Sequence, residues 1–213
     1  MNAQDLARRL RAETGGEVLF DAASRGRYST DASIYQVEPV GVFVPRTEED
    51  VKRAIAIARE LRVPILSRGA GTSQCGQTVG AALVIDNSKY LNQVTDFDAK
   101  AMMVTVQPGM VLDHLNVWLK PHGLWFPVDV STAAQCTIGG MAGNNSCGSR
   151  SIAYGNMVHN VAAIDAILSD GTEVHFGDED AMAGASERVR ALVAGLRAIA
   201  VREHDEIERM VPK

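Results

Sequence analysis

Hydrophobic and polar residues follow a helical pattern in one part of the N-terminal half of this chain. Residues 48–61 place Val51, Ile55 and Ala58 on one helix face, and Thr47 followed by three acidic residues is typical of a helix start. Short apolar runs at residues 40–44, 63–66 and 82–86 predict buried strands around this helix. A strand, a helix and a strand in this order predict a right-handed crossover with parallel neighbours.

Beyond residue 87 the pattern favours hairpins. Four strands are predicted to pair in two hairpins, residues 93–98 with 102–107 and residues 161–169 with 173–176. The second pair is joined by Asp170-Gly171-Thr172, a strong turn signal. Helices are predicted at residues 111–119 and, as one long amphipathic helix, at 186–210. We therefore predict an α+β fold: a small parallel βαβ subdomain packed on a larger antiparallel sheet with helices on one face.

Two segments carry almost no side-chain bulk. The first, Arg68-Gly69-Ala70-Gly71-Thr72-Ser73, leaves the predicted strand at 63–66 at its carboxyl end, where ligands gather in such units. Its backbone N–H groups can converge around phosphate oxygens, although a bare turn of this composition is more often only a turn. The second segment, residues 137–149, joins glycines to amide and hydroxyl side chains that suit a polyol or a phosphate. Irregular loops of that length are usually functional.

These segments, with Val106-Gln107-Pro108-Gly109, residues 127–132 and Tyr154-Gly155, resemble in order and spacing the FAD-binding domain of the vanillyl-alcohol oxidase and p-cresol methylhydroxylase family. Within it the chain is most similar to FAD-linked D-lactate, glycolate and D-2-hydroxyglutarate dehydrogenases. The resemblance covers about residues 39–177. It implies an FAD-binding PCMH-type fold of two subdomains, with the cofactor between them.

The resemblance also implies which residues contact FAD. Residues 69–73 are expected to cradle the pyrophosphate, with Arg68 either neutralising its charge or bracing the loop through a carbonyl or carboxylate. Pro108 and Gly109 correspond to an adenosine contact, and Val161 to a strand backbone at the adenine. The remaining expected contacts, along the flavin ring, ribityl chain and phosphates, are Asp129, Ser131, Thr132, Thr137, Gly139, Gly140, Asn144 and Gly148. The neighbouring His159 is expected to be structural.

The flavin is expected to be held without a covalent bond. Family members with a histidyl linkage carry the histidine at the position of Thr72, and a hydroxyl cannot form that bond. Cys136 is the nearby thiol that would have to attach otherwise, but its register does not match the cysteinyl motif. The three cysteines, Cys75, Cys136 and Cys147, show no metal or disulfide spacing and are expected to be packing residues.

By resemblance, the intact enzyme oxidises a 2-hydroxy acid by hydride transfer to flavin N5 and passes the electrons to an acceptor of unknown identity. The groups that bind and deprotonate the substrate are expected in a cap domain outside these 213 residues, so no catalytic residue is assigned here. We divide the chain into an N-terminal segment (1–38), two FAD-binding subdomains (39–90 and 91–180) and a helix leading toward the cap (181–213).

Composition excludes several classes of partner. The net charge of −5 without basic clusters argues against nucleic acid, and no apolar run is long enough for a bilayer-spanning helix. No metal site is expected. The N-terminus lacks the apolar stretch of a signal peptide, so the default location is the cytoplasm. Two alternatives remain open. A flavoenzyme of the same fold would act on an aryl alcohol, an enolpyruvyl sugar nucleotide or an ether lipid, and a non-catalytic nucleotide-binding or interaction module would show the same stability with and without FAD.

Overall fold

The computed structural model describes residues 3–177 and 184–211, which belong to two compact units. The first unit holds the residues up to Val161 together with Ser169–Gly171, and the second holds Ala162–Leu168 and the residues from Thr172 onward. Helices of the first unit are α1 Ala3–Glu13, α2 Ala22–Arg27, α3 Glu48–Glu60, α4 Leu112–Leu119, a 3₁₀ helix Lys120–His122, α5 Ile138–Gly143, α6 Ser151–Tyr154 and α7 Met157–Asn160. Its strands are β1 Glu17–Leu19, β2 Gly41–Val44, β3 Ile65–Arg68, β4 Leu83–Asp86, β5 Val94–Asp98 and β6 Met103–Val106.

A four-stranded sheet in the order β1-β2-β4-β3 forms the core of the N-terminal half. β4 pairs in parallel with β2 and with β3, so Val84 lies between Val42 and Leu66. The expectation that β2 and β3 are direct neighbours is wrong, because β4 enters between them. The reason is hydrophobic: all four residues of β4 are buried, which favours the central position. β1 pairs antiparallel with β2 and was not predicted, because its three half-buried residues give too short a pattern.

Helix α3 confirms the predicted crossover helix and its start. Thr47 Oγ1 accepts from the Asp50 N–H at 3.1 Å, and the Asp50 carboxylate accepts in return from the Thr47 N–H at 3.2 Å. The same carboxylate accepts from the Gly15 N–H at 2.8 Å. Asp50 thus ties the start of α3 to the turn before β1, which makes the N-terminal residues part of the first unit.

Among the described residues, the strands beyond residue 87 form two separate two-stranded sheets, not one larger sheet. β5 pairs with β6 in the first unit, with an irregular register between Val94 and Asp96. The second unit contains the hairpin of β7 Ile164–Ile167 and β8 Glu173–Phe176. The turn between these two strands, whose residues Ser169–Gly171 are counted with the first unit, carries Gly171 at φ +86°, as the Asp170-Gly171 signal predicted. The α+β class is confirmed.

The predicted helix at residues 186–210 is divided into α8 Glu187–Arg202 and α9 His204–Met210. Glu203, at φ −94° and ψ 10°, leaves the helical backbone between them. Residues 202–206 are all charged or polar, so no apolar side chain continues the helical stripe across this point. Both helices belong to the second unit.

A hydrophobic cluster beneath the 137–149 segment holds the C-terminal half of the first unit together. Its buried members are Leu112, Val128, Cys136, Met141 and Met157. They come from α4, α5, α7 and the connecting loops, so the position of the polar segment above them is fixed by packing from several elements.

Candidate functional site

Arg68 ends β3 and braces the loop that follows it. Its Nη1 donates to the carbonyl oxygens of Tyr28 at 3.3 Å and Thr78 at 3.1 Å, and its Nη2 donates to the Thr30 carbonyl at 2.9 Å. The guanidinium also lies 5.2 Å from the centre of the Tyr28 ring. Of the two roles expected for Arg68, the contacts correspond to the structural one, in which the side chain holds the loop through carbonyl groups.

Two of the three carbonyls that Arg68 contacts, those of Tyr28 and Thr30, belong to a segment to which the sequence analysis assigned no role. This strap, residues 28–36, crosses the Gly-rich loop: the Ala32 N–H donates to the Gly71 carbonyl at 3.1 Å, and Thr78 Oγ1 donates to Asp31 at 3.0 Å. A run of turn-forming residues, Ser29-Thr30-Asp31, was the signal available in the sequence. The strap therefore fixes both ends of the loop at 69–78.

The Gly-rich loop itself keeps its backbone donors unused. Within the described residues, the N–H groups of residues 69–73 donate to no acceptor. Ala70 is exposed, and the other four residues are partly exposed. Gly71 has φ +70°, which only glycine adopts readily. The Ser73 hydroxyl is engaged within the loop, where it donates to Gln77 and accepts from the Cys75 N–H at 3.2 Å. Successive unpaired N–H groups around a left-handed turn are the backbone arrangement that binds anions.

The second small-residue segment meets this loop directly. A Cβ on Gly69 would overlap Thr137 Oγ1, so the two backbones approach closely only because residue 69 is glycine. Thr137 is buried and precedes α5, and Gly140, on that helix, lies where an added Cβ would be 3.1 Å from the same hydroxyl. Further along, Gln77 Nε2 donates to Asn144 Oδ1 at 3.3 Å. Gln77 was not among the predicted residues.

The Pro108-Gly109 turn packs against the second segment and against the loop after β4. The Gly139 N–H donates to the Pro108 carbonyl at 2.9 Å, and a Cβ on Gly139 would lie 2.6 Å from Pro108 Cβ. A Cβ on Gly109 would overlap the carbonyl oxygen of Asn87, which directly follows β4. Asn87 Oδ1 is buried without a hydrogen-bond partner among the described residues, while its Nδ2 donates to Ser67 at 3.0 Å.

Asp129 anchors the far end of the second segment. Its carboxylate accepts from Ser149 Oγ at 2.9 Å, from the Arg150 N–H at 3.1 Å and from Arg150 Nε at 2.8 Å. Hydrogen bonds from Arg150 lower the pKa of Asp129 to about 2. A Cβ on Gly148 would overlap Asp129, so glycine is required for this contact. Asp129 thus holds the loop at 148–150, a role that the sequence did not reveal.

Three of the predicted FAD contacts, Val161, Ser131 and Thr132, pack against the hydrophobic cluster or lie in a local turn. Val161 is not in a strand: it follows α7 and packs against the hydrophobic cluster of Leu112 and Met157, because residues 157–160 are helical and the strand begins at Ile164. Ser131 and Thr132 lie in the turn before Cys136, where the Thr132 carbonyl accepts from the Cys136 N–H at 2.8 Å. His159 Nδ1 accepts from the Asn156 N–H at 3.0 Å, a structural contact.

The geometry fits a large anionic dinucleotide such as FAD. Three loops meet at glycine positions, Gly69, Gly109 and Gly139, where an added Cβ would collide with a neighbouring loop, so no side chains separate their backbones. Beside them lie the unpaired N–H groups of residues 69–73 and the amide side chain of Asn144. Small residues, free backbone donors and polar side chains are what a cofactor with a pyrophosphate and a ribityl chain requires.

The cysteines differ in their surroundings. Cys136 is buried with its sulfur 3.5 Å from Met141 Sδ, and burial raises the pKa of its thiol. Cys75 and Cys147 are exposed. In the part of the chain that the structure describes, no group of His, Cys, Asp and Glu side chains is arranged to hold a metal ion. Within the same residues, no helix combines the length and the apolarity needed to cross a bilayer.

Several curated proteins are similar in sequence. D-2-hydroxyglutarate dehydrogenase of Haemophilus influenzae is 34% identical over 73% of this chain and 16% of its own length. Glycolate oxidase subunit GlcD of Bacillus subtilis is 32% identical over 94% of the chain and 44% of its own length. A probable mitochondrial D-lactate dehydrogenase of Danio rerio is 35% identical over 87% of the chain and 36% of its own length. The chain therefore spans less than half of these relatives.

Solved structures share the fold. An alkyldihydroxyacetonephosphate synthase superposes with a TM-score of 0.74 at 20% identity, over 87% of this chain and 36% of that protein. A BBE-like 1 variant, D396N, of Physcomitrella patens gives a TM-score of 0.70 at 21% identity, over 81% of this chain and 38% of that protein. The FAD binding domain family matches residues 39–177, well over half of the chain. The chain belongs to the family of FAD binding domains.

Proposed function

We propose that the first unit holds FAD at the junction of the Gly-rich loop, the Pro108-Gly109 turn and the segment at 137–149, without a covalent bond. The observation that carries the proposal is the close approach of Gly69 and Thr137 beside a run of unpaired backbone N–H groups. At that junction, unpaired backbone N–H groups that suit a phosphate lie next to a segment whose side chains suit a polyol. The division into subdomains at residues 39–90 and 91–180 stays part of this proposal.

The pyrophosphate is proposed to accept hydrogen bonds from the N–H groups of residues 69–73. Arg68 contributes indirectly, because its three carbonyl contacts hold the strap and the loop in one conformation. Asn144, on the second segment, supplies an amide for the ribityl chain or the flavin ring, and Gln77 orients that amide. Asp129 and Gly148 position the end of the segment. The assignment of Val161 to adenine stays a prediction.

Non-covalent binding is supported by the surroundings of Cys136. The thiol is buried in the hydrophobic cluster, and burial keeps it protonated by raising its pKa. A protonated thiol packed against Met141 is a poor nucleophile toward a flavin. Thr72, at the position of the histidyl linkage in the resembled family, has no nitrogen to form such a bond.

We further propose that the full-length protein oxidises a 2-hydroxy acid of the D-lactate, glycolate or D-2-hydroxyglutarate class. The support is that the relatives, 32–35% identical over most of this chain, are a D-2-hydroxyglutarate dehydrogenase, a glycolate oxidase subunit and a probable D-lactate dehydrogenase. Bound FAD supplies the acceptor for the two electrons removed from the substrate. The residues of this chain bind and orient the cofactor. Because the relatives are longer than this chain, deprotonation of the substrate hydroxyl is assigned to a part of the full-length protein outside these 213 residues. The electron acceptor is one of that protein's partners.

The test is the visible spectrum of the full-length protein as purified, followed by anaerobic addition of D-lactate, glycolate and D-2-hydroxyglutarate in turn. The proposal predicts a flavin spectrum that bleaches with one of the three acids. A flavin spectrum that bleaches with none of them would favour another substrate on the same fold. A protein whose thermal stability FAD does not change would favour a non-flavin module, since a ligand that binds the native state must stabilise it.

A further inference from the structure

Arg150 is the best-placed cation at the end of the proposed flavin segment, and its guanidinium is only partly used. Nε donates to Asp129 at 2.8 Å, whereas the two terminal amino groups donate to no acceptor within residues 3–177 and 184–211. The side chain of Arg150 is 55% exposed, while that of Asp129 is 17% exposed. One edge of the planar group is therefore fixed to the protein, and the other edge is open.

The open edge is held in a defined orientation. The Arg150 guanidinium carbon lies 4.7 Å from the centre of the Trp125 ring, and the Tyr154 ring meets Trp125 edge-on at 5.2 Å. Stacking on an aromatic face and pairing through Nε restrain the plane of a guanidinium from two directions. An arginine that is restrained before binding loses less side-chain entropy when an anion arrives.

The open edge suits a carboxylate. Two parallel N–H donors match the two oxygens of a carboxylate, and Asp129 shows the same group bound at the other edge. Trp125 and Tyr154 are 41% and 45% exposed, so they provide an apolar surface for the carbon chain of a small acid. Gly148, two residues before Arg150, and Asp129, which Arg150 contacts, are both among the residues that the resemblance assigns to FAD, so this surface borders the proposed cofactor segment.

We propose that Arg150 binds the carboxylate of the 2-hydroxy acid through its terminal amino groups, with Trp125 beside the carbon chain. The inference rests on the proposed function and deepens it, because it gives the FAD-binding part of the chain a share in substrate recognition. Asp129 acts as a positioning residue that holds the guanidinium through Nε. Lys cannot replace Arg here, since an ammonium is a point charge without the planar pair of donors.

The test is isothermal titration calorimetry on the full-length protein, as purified and after saturation with FAD. The probes are carboxylates that lack the reactive hydroxyl, propionate and glutarate, each compared with its neutral amide at matched ionic strength. Arg150→Gln and Arg150→Lys are compared with Arg197→Ala, a control on helix α8. We expect both Arg150 variants to bind the better acid roughly tenfold more weakly, with amide binding and FAD content unchanged, and the Arg197 variant to match the wild type.

The alternative is that Arg150 only braces Asp129. In that case the Gln variant would lose FAD, or would lose acid and amide binding equally, and the proposal would be wrong. Wild-type protein that binds neither acid better than its amide, or an Arg150→Lys variant with wild-type acid affinity, would also overturn it. Failure of the proposed reaction has a different signature: none of the three 2-hydroxy acids bleaches the flavin, whether or not acid binding depends on Arg150.

Discussion

The role of Gly71 can be separated from its backbone conformation, because the chain contains a matched control. Gly71 has φ +70° and Gly123 has φ +71°, so Ala costs about 1 to 2 kcal/mol of backbone strain at either position. The surroundings differ. A Cβ on Gly71 would lie 2.5 Å from Arg68 Nη2, whereas nothing lies within 4 Å of a Cβ on Gly123.

The added cost at Gly71 follows from the contacts of Arg68. To admit the methyl group, the flexible guanidinium has to move and lose its 2.9 Å bond to the Thr30 carbonyl. A hydrogen bond to a charged group contributes about 1.5 to 3 kcal/mol, and we take the lower end because this contact is exposed. Gly71→Ala should therefore destabilise the protein by about 1.5 kcal/mol more than Gly123→Ala.

The assay is urea unfolding of both variants, followed by circular dichroism, together with FAD titration of the folded proteins. We expect the larger stability loss and a reduced FAD affinity in Gly71→Ala, and wild-type FAD affinity in Gly123→Ala. Gly71→Val should abolish FAD binding, since a β-branched side chain adds further crowding in the loop. Equal stability losses and equal FAD affinities in the two Ala variants would refute the argument that Arg68 and Gly71 shape the phosphate loop together.

Three further predictions concern the second segment. Gly139→Ala should weaken FAD binding, because its Cβ would lie 2.6 Å from Pro108. Gly143→Ala, with open space around the added Cβ, should leave FAD binding unchanged, and quenching of flavin fluorescence measures both affinities. Asn144→Ala should weaken FAD binding by about 0.5 to 1.5 kcal/mol for each neutral hydrogen bond lost, whereas unchanged affinity would move the ribityl contact elsewhere. Asp129 has a pKa near 2 in the folded protein against an ordinary value of about 3.8, so its stabilising effect is complete above about pH 5 and is lost as the pH falls toward 2. The stability difference between wild type and Asp129→Asn in urea should therefore shrink over that range, and a constant difference would contradict the Arg150 contact.

Local signals in the sequence were sufficient where a pattern fixes the backbone. Thr47 and Asp50 define the start of α3, and Asp170-Gly171 defines a hairpin turn, because capping and turn chemistry depend only on near neighbours. The order of strands was not predictable in the same way, since β4 competes with β3 for the position beside β2 through burial, a property of the assembled sheet.

The candidate site shows the same difference between local signals, which the sequence reveals, and contacts between distant segments, which it does not. Its glycines were predicted from composition, but their partners were not: Gly69 with Thr137 and Gly148 with Asp129 are contacts between distant segments. The strap at residues 28–36 was missed for the same reason, because its turn-forming residues do not reveal that the carbonyl of Thr30 meets Arg68. The strand expected from Val161 begins only at Ile164, because residues 157–160 form a helical turn whose Met157 packs in the hydrophobic cluster.

The central claim is that this chain holds FAD, as a dinucleotide and without a covalent bond. Parallel titration of FAD and FMN into flavin-free protein, followed by acid precipitation of the FAD complex, tests it most directly. We predict saturable FAD binding, weaker FMN binding and release of the flavin into the acid supernatant. FMN affinity equal to or above that of FAD would contradict the dinucleotide site, and a yellow pellet would contradict non-covalent binding and implicate Cys136.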